Sequence, residues 1–416
     1  VCSRMLDQGG DFACRRGSIS GLTEDDPAGR IRAMIKNPHI PLLSRRDFMR
    51  VGGVGVAGYS LLPMLMPLNV QARGKVEPRG GAEICIFIML QGAASQMDTF
   101  DVKEGPDTPG DFDIRTVRDG LRMPVGTLPM LSERFQKYTI VRSMGAWDLN
   151  HDRSTYHLQS GREFQVARAG EIPSIGSVIA YEMRDRRRDS DILPSFISFD
   201  VQTSVLVNCG FLPSYTAPMN LKQGTPLTFV MSEEEKQTFE RRQQLAMTLN
   251  REWHETPGDR SRIFRDLDEY RRSATLLSDP RCAEVFTLSD EDKERYGDHN
   301  SGFGPLGNAC AMARNIVEAD LGTKFILINH GSWDLHTDIY KKDTHWSQYT
   351  MNAQLDQGLA SLLDDLESRT DKEGRRLIDK TLVACVGEFG RTPGVLNELN
   401  GRDHHIDAGI AVFAGA

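Results

Sequence analysis

Ile84-Cys85-Ile86-Phe87-Ile88-Met89-Leu90 is an unbroken apolar run between Gly81 and Gly92. A strand with one face in water would alternate polar and apolar residues, so a continuous run suits a strand of a parallel sheet buried on both faces. Two further runs have the same form: Lys324-Phe325-Ile326-Leu327-Ile328-Asn329 and Thr381-Leu382-Val383-Ala384-Cys385-Val386. Between them, Leu355, Leu359, Leu362, Leu363 and Leu366 recur at helical spacing, which predicts a helix over about 349–369. A second helix is expected from Leu306 to Asp320, closed by Gly322. Strands alternating with helices predict an α/β fold: a doubly wound, mostly parallel sheet with helices on both faces.

Residues 231–300 differ in character. Ser232-Glu233-Glu234-Glu235 has the form of a capping box opening a charge-rich helix. A further helix is expected from Arg260 to Ser278 and a short one from Ser289 to Tyr296, together a helical insertion at one side of the sheet. The last residues, Ile410 to Ala416, read as a strand running into a turn. A buried strand with nothing to close it predicts that the chain continues beyond this point.

The N-terminal part carries an address. Ser44-Arg45-Arg46-Asp47-Phe48-Met49-Arg50 precedes an uncharged stretch from Val51 to Val70 and a small-residue cleavage site at Ala72. Paired arginines before such a stretch mark a twin-arginine export signal. The stretch is long enough for a membrane span, but it is diluted with Gly and Ala and interrupted by Pro63 and Pro67. Residues 34–72 are therefore read as the signal, 1–33 as an over-extended start before Met34, and 73–416 as the α/β domain. The expected partner is the twin-arginine export machinery, and the expected destination the periplasm or the exterior. No stable membrane span should remain after cleavage.

The net charge of −8, with both signs mixed along the chain, lacks the basic stripe of a nucleic-acid binder. Five cysteines follow the signal with no CxxC pair, so neither a zinc knuckle nor a disulfide framework is indicated.

Ligands of open parallel sheets collect at the carboxyl ends of the strands, and those positions are rich in chemistry. Gln91-Gly92-Ala93-Ala94-Ser95-Gln96-Met97-Asp98 follows the first run, His330-Gly331-Ser332-Trp333-Asp334-Leu335-His336 the second, and Gly387-Glu388-Phe389-Gly390-Arg391 the third. Gly401-Arg402-Asp403-His404-His405 precedes the last strand. Asp334 and His336 are two apart and share a face of an extended backbone. Carboxylate with imidazole suits zinc, iron or manganese better than calcium. Glu388 and His404 or His405 are the candidates to complete one or two metal positions. Ser95 could serve as a nucleophile activated by a metal, or only as a helix N-cap. Arg391 suits an oxyanion or a structural ion pair. His151 and His157 are spaced too loosely for a metal clamp and are read as pocket residues.

The chain resembles the domain of unknown function 1501 family. The resemblance rests on Ser-Arg-Arg-Asp-Phe, Val141-Arg142-Ser143-Met144, Pro173-Ser174-Ile175-Gly176-Ser177, the segment His330 to His336, Glu388-Phe389-Gly390-Arg391-Thr392-Pro393 and Gly401-Arg402-Asp403-His404. That family is similar to sulfatases and alkaline phosphatases, which implies a doubly wound α/β sheet around a two-metal site. The superfamily's first-strand Asp is replaced here by Gln91-Gly92, with Asp98 a substitute only if the loop folds back. Its later Asp-His pair is Glu388-Phe389 in this chain. Asp334 with His336, and His404 or His405, resemble ligand segments. The metal count implied is one, two or none. Two functions follow: a metal-dependent hydrolase of phosphate or sulfate esters using zinc, manganese, iron or calcium, or a non-catalytic binding or assembly protein with a degenerate site. The expected ligand is a small anionic ester or a carbohydrate. A redox enzyme lacks support in any Cys cluster or dinucleotide loop.

Overall fold

The computed structural model describes residues 80–201, 206–222, 232–254, 279–297, 306–342 and 344–416. The export signal, the residues before it and the expected helix Arg260–Ser278 lie outside the described residues.

The three apolar runs form β1 (Ile84–Leu90), β7 (Phe325–His330) and β8 (Thr381–Gly387). β1 pairs in parallel with both, Ile86 facing Ile326 on one side and Val383 on the other. Around them stand β4 (Thr139–Met144), β5 (Phe196–Phe199), β6 (Met219–Leu221) and β11 (Gly409–Gly415). The order is β4-β11-β8-β1-β7-β5-β6 in a seven-stranded sheet. Only β11 runs against its neighbours, antiparallel to β8 and β4. The remaining strands form two hairpin-like pairs, β2 (Ile114–Arg118) with β3 (Leu121–Pro124) and β9 (Gly390–Arg391) with β10 (His404–His405).

Alternation along β1 divides its side chains between two cores, since successive residues point to opposite faces. Ile84, Ile86, Ile88 and Leu90 pack with residues such as Leu306, Leu355, Leu359 and Leu362. Phe87 and Met89 pack on the other face with Tyr156 and Ala180. Among the described residues the α-helices, in chain order, are α1 (Pro129–Glu133), α2 (His151–Ser160), α3 (Ile175–Glu182), α4 (Glu233–His254), α5 (Pro280–Phe286), α6 (Asp290–Tyr296), α7 (Leu306–Ala319) and α8 (Gln348–Ser368). Helices α7 and α8 therefore cover one face, and α2 and α3 the other. This is the doubly wound, mostly parallel α/β sheet. Each fully buried Ile of β1 contributes roughly 1.5–3 kcal/mol, which is why the continuous run is diagnostic. Ahead of α4, Glu235 N donates to Ser232 Oγ at 3.3 Å while Ser232 N donates to Glu235 Oε2 at 2.8 Å, a reciprocal cap. Among the described residues, no helix is long and apolar enough to cross a membrane.

His330, the last residue of β7, shows how tightly the strand ends are packed. It is buried, with Nε2 2.8 Å from Gln354 Oε1 and Nδ1 accepting from Trp333 Nε1 at 3.1 Å. The indole can only donate, so the imidazole is neutral with its proton on Nε2. Burial pushes its pKa down to about 4, and the Gln354 bond opposes this only in part. A histidine with a depressed folded pKa adds stability above its unfolded value of about 6.5, and that stability is lost as pH falls towards the folded value. Across this window the loss attributable to His330 is on the order of 3 kcal/mol. Denaturant unfolding measured from pH 7 to about pH 4 should show this slope flattened in His330→Gln. An equal slope in the variant would refute the assignment.

Candidate metal centre

Four loops meet at the carboxyl ends of β1, β7 and β8. Asp334 and His336 follow β7, Glu388 follows β8, Arg391 and His404 face each other across the β9–β10 pair, and His151 opens α2. Asn150 caps that helix by accepting from Arg153 N at 3.1 Å, which fixes where His151 leaves the backbone.

Two glycines allow the loops to approach. Gly92 has a φ of +97°, and a Cβ there would lie 2.6 Å from Asp334 N. At Gly401 a Cβ would lie 2.0 Å from the carbonyl carbon of His336. Neither position can hold a side chain without separating the segments that carry the site.

The side chains converge on one point. His151 Nε2 and His404 Nε2 are 3.1 Å apart, and His404 Nε2 is 2.9 Å from His336 Nε2. Asp334 Oδ1 lies 3.2 Å from His151 Nε2, 2.9 Å from His336 Nε2 and 3.2 Å from His404 Nε2. His151, Asp334 and His404 each offer a ligand atom within 4.8 Å of the others.

The opposite ring nitrogens decide the tautomers. His404 Nδ1 is 2.6 Å from Leu149 O, and His336 Nδ1 is 3.0 Å from Asp403 Oδ1. A carbonyl and a carboxylate only accept, so each Nδ1 carries the proton and each Nε2 presents a lone pair. Two lone pairs 2.9 Å apart repel each other; Arg391 NH1, 3.2 Å from His336 Nε2, offsets this at one of them, and a cation among the nitrogens would offset it at both. The donor set of imidazoles and one carboxylate thus fits a divalent ion of the zinc class. Burial and the Arg391 charge hold His404 below the ordinary histidine pKa, in its ligand form. Burial works against ionised Asp334, yet hydrogen bonds from His151 and Arg391 outweigh it and keep the carboxyl well below the usual range. For His151 burial is likewise outweighed, by the nearby carboxylates of Asp334 and Glu388, and its pKa rises to about 9.

A family model described as a protein of unknown function (DUF1501) matches residues 82–416. The chain belongs to this family. No curated protein matches it in sequence. Two solved structures show similarity to it. One is a protein in the alkaline phosphatase superfamily from Vibrio parahaemolyticus, at 11% identity and a TM-score of 0.37 over 80% of this chain and 60% of that one. The other is the lipoteichoic acid synthase LtaP from Listeria monocytogenes, at 10% identity and a TM-score of 0.35 over 80% of this chain and 66% of that one. The chain spans less than two thirds of the length of either, and neither likeness assigns it a ligand or a reaction.

Within this DUF1501 chain, Asp334, His336 and His404 come together at the centre. His405, next along the short strand β10, pairs with Gly390 in the ladder. Glu388 adjoins the centre as a support. Its oxygens accept from Gly92 N at 2.9 Å and Ala93 N at 2.8 Å, and Oε1 lies 3.6 Å from His151 Nδ1. Arg391 is buried and its donors are engaged: Ala93 O at 3.0 Å, Arg402 O at 3.0 Å, Gly92 O, and Asp334 Oδ1 at 2.5 Å. Ser95 donates to Asp98 Oδ2 at 2.5 Å. Asp98 also accepts from Arg402 Nε at 2.9 Å and Tyr340 OH at 2.6 Å, in a buried network of its own.

His151 enters the centre although its spacing to His157 gives no hint of it. Six residues along a helix is a rotation of about 240°, so the two diverge. The usable signal was His151 itself, at the first position of a helix whose cap is Asn150.

Glu388→Gln should keep one backbone contact to the Gly92–Ala93 turn and lose the carboxylate beside His151. Such outer supports are worth about 10–100-fold in metal affinity. Zinc titration of the folded variant, checked by circular dichroism, should show a loss of that size. Unaltered affinity would remove Glu388 from the centre.

Proposed function

We propose that this DUF1501 protein is an exported hydrolase of phosphate or sulfate esters built around a divalent cation of the zinc class. The observation that carries the reading is the convergence of lone-pair Nε2 atoms and the Asp334 carboxylate at the carboxyl ends of the central strands. His151, Asp334 and His404 hold the ion, with His336 against the last two. When bound, such an ion supplies Lewis-acid polarisation of an ester oxygen.

The chain's own residues do the rest. Leu149 O and Asp403 orient His404 and His336, and Glu388 orients His151. Arg391 fixes Asp334 and keeps it ionised. The Asp334 side chain is 46% exposed, so one side of the centre is open to an incoming ester, as a catalytic rather than a closed structural site requires. The export part of the reading rests on Ser44-Arg45-Arg46-Asp47-Phe48 and the uncharged stretch after it, and gives the export machinery as partner and a location outside the cytoplasm.

The second reading, a non-catalytic binding protein, is favoured by one observation. Ser95 and Arg391, the residues best suited by type to attack an ester and to hold its anionic oxygens, are both committed to internal bonds. A hydrolase on this scaffold therefore uses water as its nucleophile.

Plasma mass spectrometry of purified protein should find about one equivalent of zinc, manganese or iron. Asp334→Ala and His404→Ala should each lose most of that metal, together with hydrolysis of p-nitrophenyl phosphate or sulfate. Protein that stays empty after incubation with these ions and calcium would overturn the metal reading. Loaded protein that is inert towards a panel of phosphate and sulfate esters would leave the binding reading.

A further inference from the structure

Arg402 is 1% exposed and stands two residues before His404, where the chain enters β10. Its side chain is bonded on every side. Nε donates to Asp98 Oδ2 at 2.9 Å, and NH2 donates to Tyr340 OH at 3.0 Å. NH1 donates to the carbonyls of Thr392 and Gly394, both at 3.0 Å. Tyr340 OH donates in turn to Asp98 Oδ1 at 2.6 Å, which closes a ring of three side chains. The main chain of Arg402 is engaged as well. Its N donates to Leu335 O at 3.1 Å, and its carbonyl accepts from Arg391 NH1 at 3.0 Å.

One residue thus joins the loops that follow β1, β7 and β8. The β9–β10 ladder cannot hold His404 by itself, because it pairs only His404 with Arg391 and His405 with Gly390. Leu335 lies between Asp334 and His336, so its bond to Arg402 ties their segment directly to that of His404. A shift of Arg402 would carry His404 with it. The 2.9 Å from His404 Nε2 to His336 Nε2 and the 3.2 Å to Asp334 Oδ1 would both change. Asp98 is only 2% exposed, so its pairing with Arg402 is a buried ion pair. Such pairs add little stability over apolar packing, and their best use is to fix one arrangement of the chain.

We propose that Arg402, locked by Asp98 and Tyr340, is a positioning residue that sets the distance of His404 from Asp334 and His336, and with it the metal affinity and coordination geometry of the centre. This rests on the metal reading for the ion, whereas the spacing of the imidazoles belongs to the chain alone. Asp98 serves the centre in this way without being a ligand. A brace that only added stability would matter no more than a comparable network elsewhere, and the chain contains one. Tyr296 OH donates to Asp365 Oδ2 at 2.7 Å, and Arg314 NH1 donates to the same oxygen at 2.9 Å. That tyrosine, aspartate and arginine are equally buried but join α6, α7 and α8 instead of the loops of the centre.

The test compares the full chain with its Asp98→Asn, Tyr340→Phe and Tyr296→Phe variants, each checked by circular dichroism and thermal unfolding. Zinc affinity is measured by competition with a chelator, and the visible spectrum of the cobalt-loaded protein reports coordination geometry. The imidazole nitrogen resonances of His336 and His404 are recorded in metal-free protein. Asp98→Asn should lose about 10–100-fold in zinc affinity, with an altered cobalt spectrum and displaced resonances of both histidines. Tyr340→Phe keeps the ion pair and removes one hydroxyl, so it should show a smaller loss in the same direction. It decides the matter if Asp98→Asn does not fold. Tyr296→Phe should lower the unfolding temperature and leave zinc affinity, cobalt spectrum and resonances unchanged. Wild-type protein that takes up neither metal, with the resonances displaced only in the Asp98 and Tyr340 variants, supports the positioning role while removing the metal reading. Unchanged affinity and resonances in whichever of those two variants folds, or equal losses in all three, overturn the proposal.

Discussion

A buried carboxylate and a buried guanidinium hold one backbone turn, and the site is built on that turn. Glu388 and Arg391 both come from the segment leaving β8, and both are almost fully buried. Glu388 takes the amide hydrogens of Gly92 and Ala93, while Arg391 donates to the carbonyls of the same two residues. The turn they clamp has left-handed backbone at both positions, and Ala93 has no glycine freedom to offset it. A residue with a Cβ in that region costs roughly 1–2 kcal/mol, so the turn persists because four polar backbone groups find charged partners. Stripping one partner from a buried charged set costs on the order of 3–5 kcal/mol. The turn in turn abuts Trp333 and Asp334, which sets where the β7 loop can lie.

The sequence was most readable where burial is most complete. β1, β7 and β8 are covered on both faces, so their apolar runs needed no alternation to be recognised. β4 lies at the edge of the sheet with most of its residues part or fully exposed, and its Thr139–Met144 carries no apolar run. The four residues of β5 are fully buried, yet too short to stand out against the loops around them. β11 could be read as a strand, but not its antiparallel place between β4 and β8. Direction follows from the route the chain takes, and a seven-residue run does not record that route.

The same division runs through the site. Asp334, His336, Glu388 and His404 were found because each stands directly beside a readable strand. His151 was read only as a pocket residue, because its partner in the centre, His404, lies 253 residues further along the chain. Asp98 illustrates the converse. Its place past β1 made it a fair ligand candidate, but Arg402, 304 residues away, claims its carboxylate. Local sequence shows which side chains are available near a strand end, whereas the remote partner that engages each one is supplied only by the fold.

The electrostatics of the centre give a reason for these commitments. Asp334, Glu388 and Asp403 surround the imidazoles, and Arg391 is the buried cation among them. His151 is drawn towards its charged form by Asp334 and Glu388, while burial and Arg391 push His404 towards its neutral form. The field thus favours a further positive charge beside Asp334, a place for which a proton on His151 and a metal ion would compete. Arg391 already donates to Asp334 Oδ1 at 2.5 Å, but its other donors hold the carbonyls of the β1 turn and Arg402 O, so it cannot move further into the centre. Freeing Arg391 to meet a substrate would release the turn on which Asp334 rests. On the proposed hydrolase reading, an anionic ester would therefore have to be met by a bound cation, because Arg391 is already part of the structure that holds the site together.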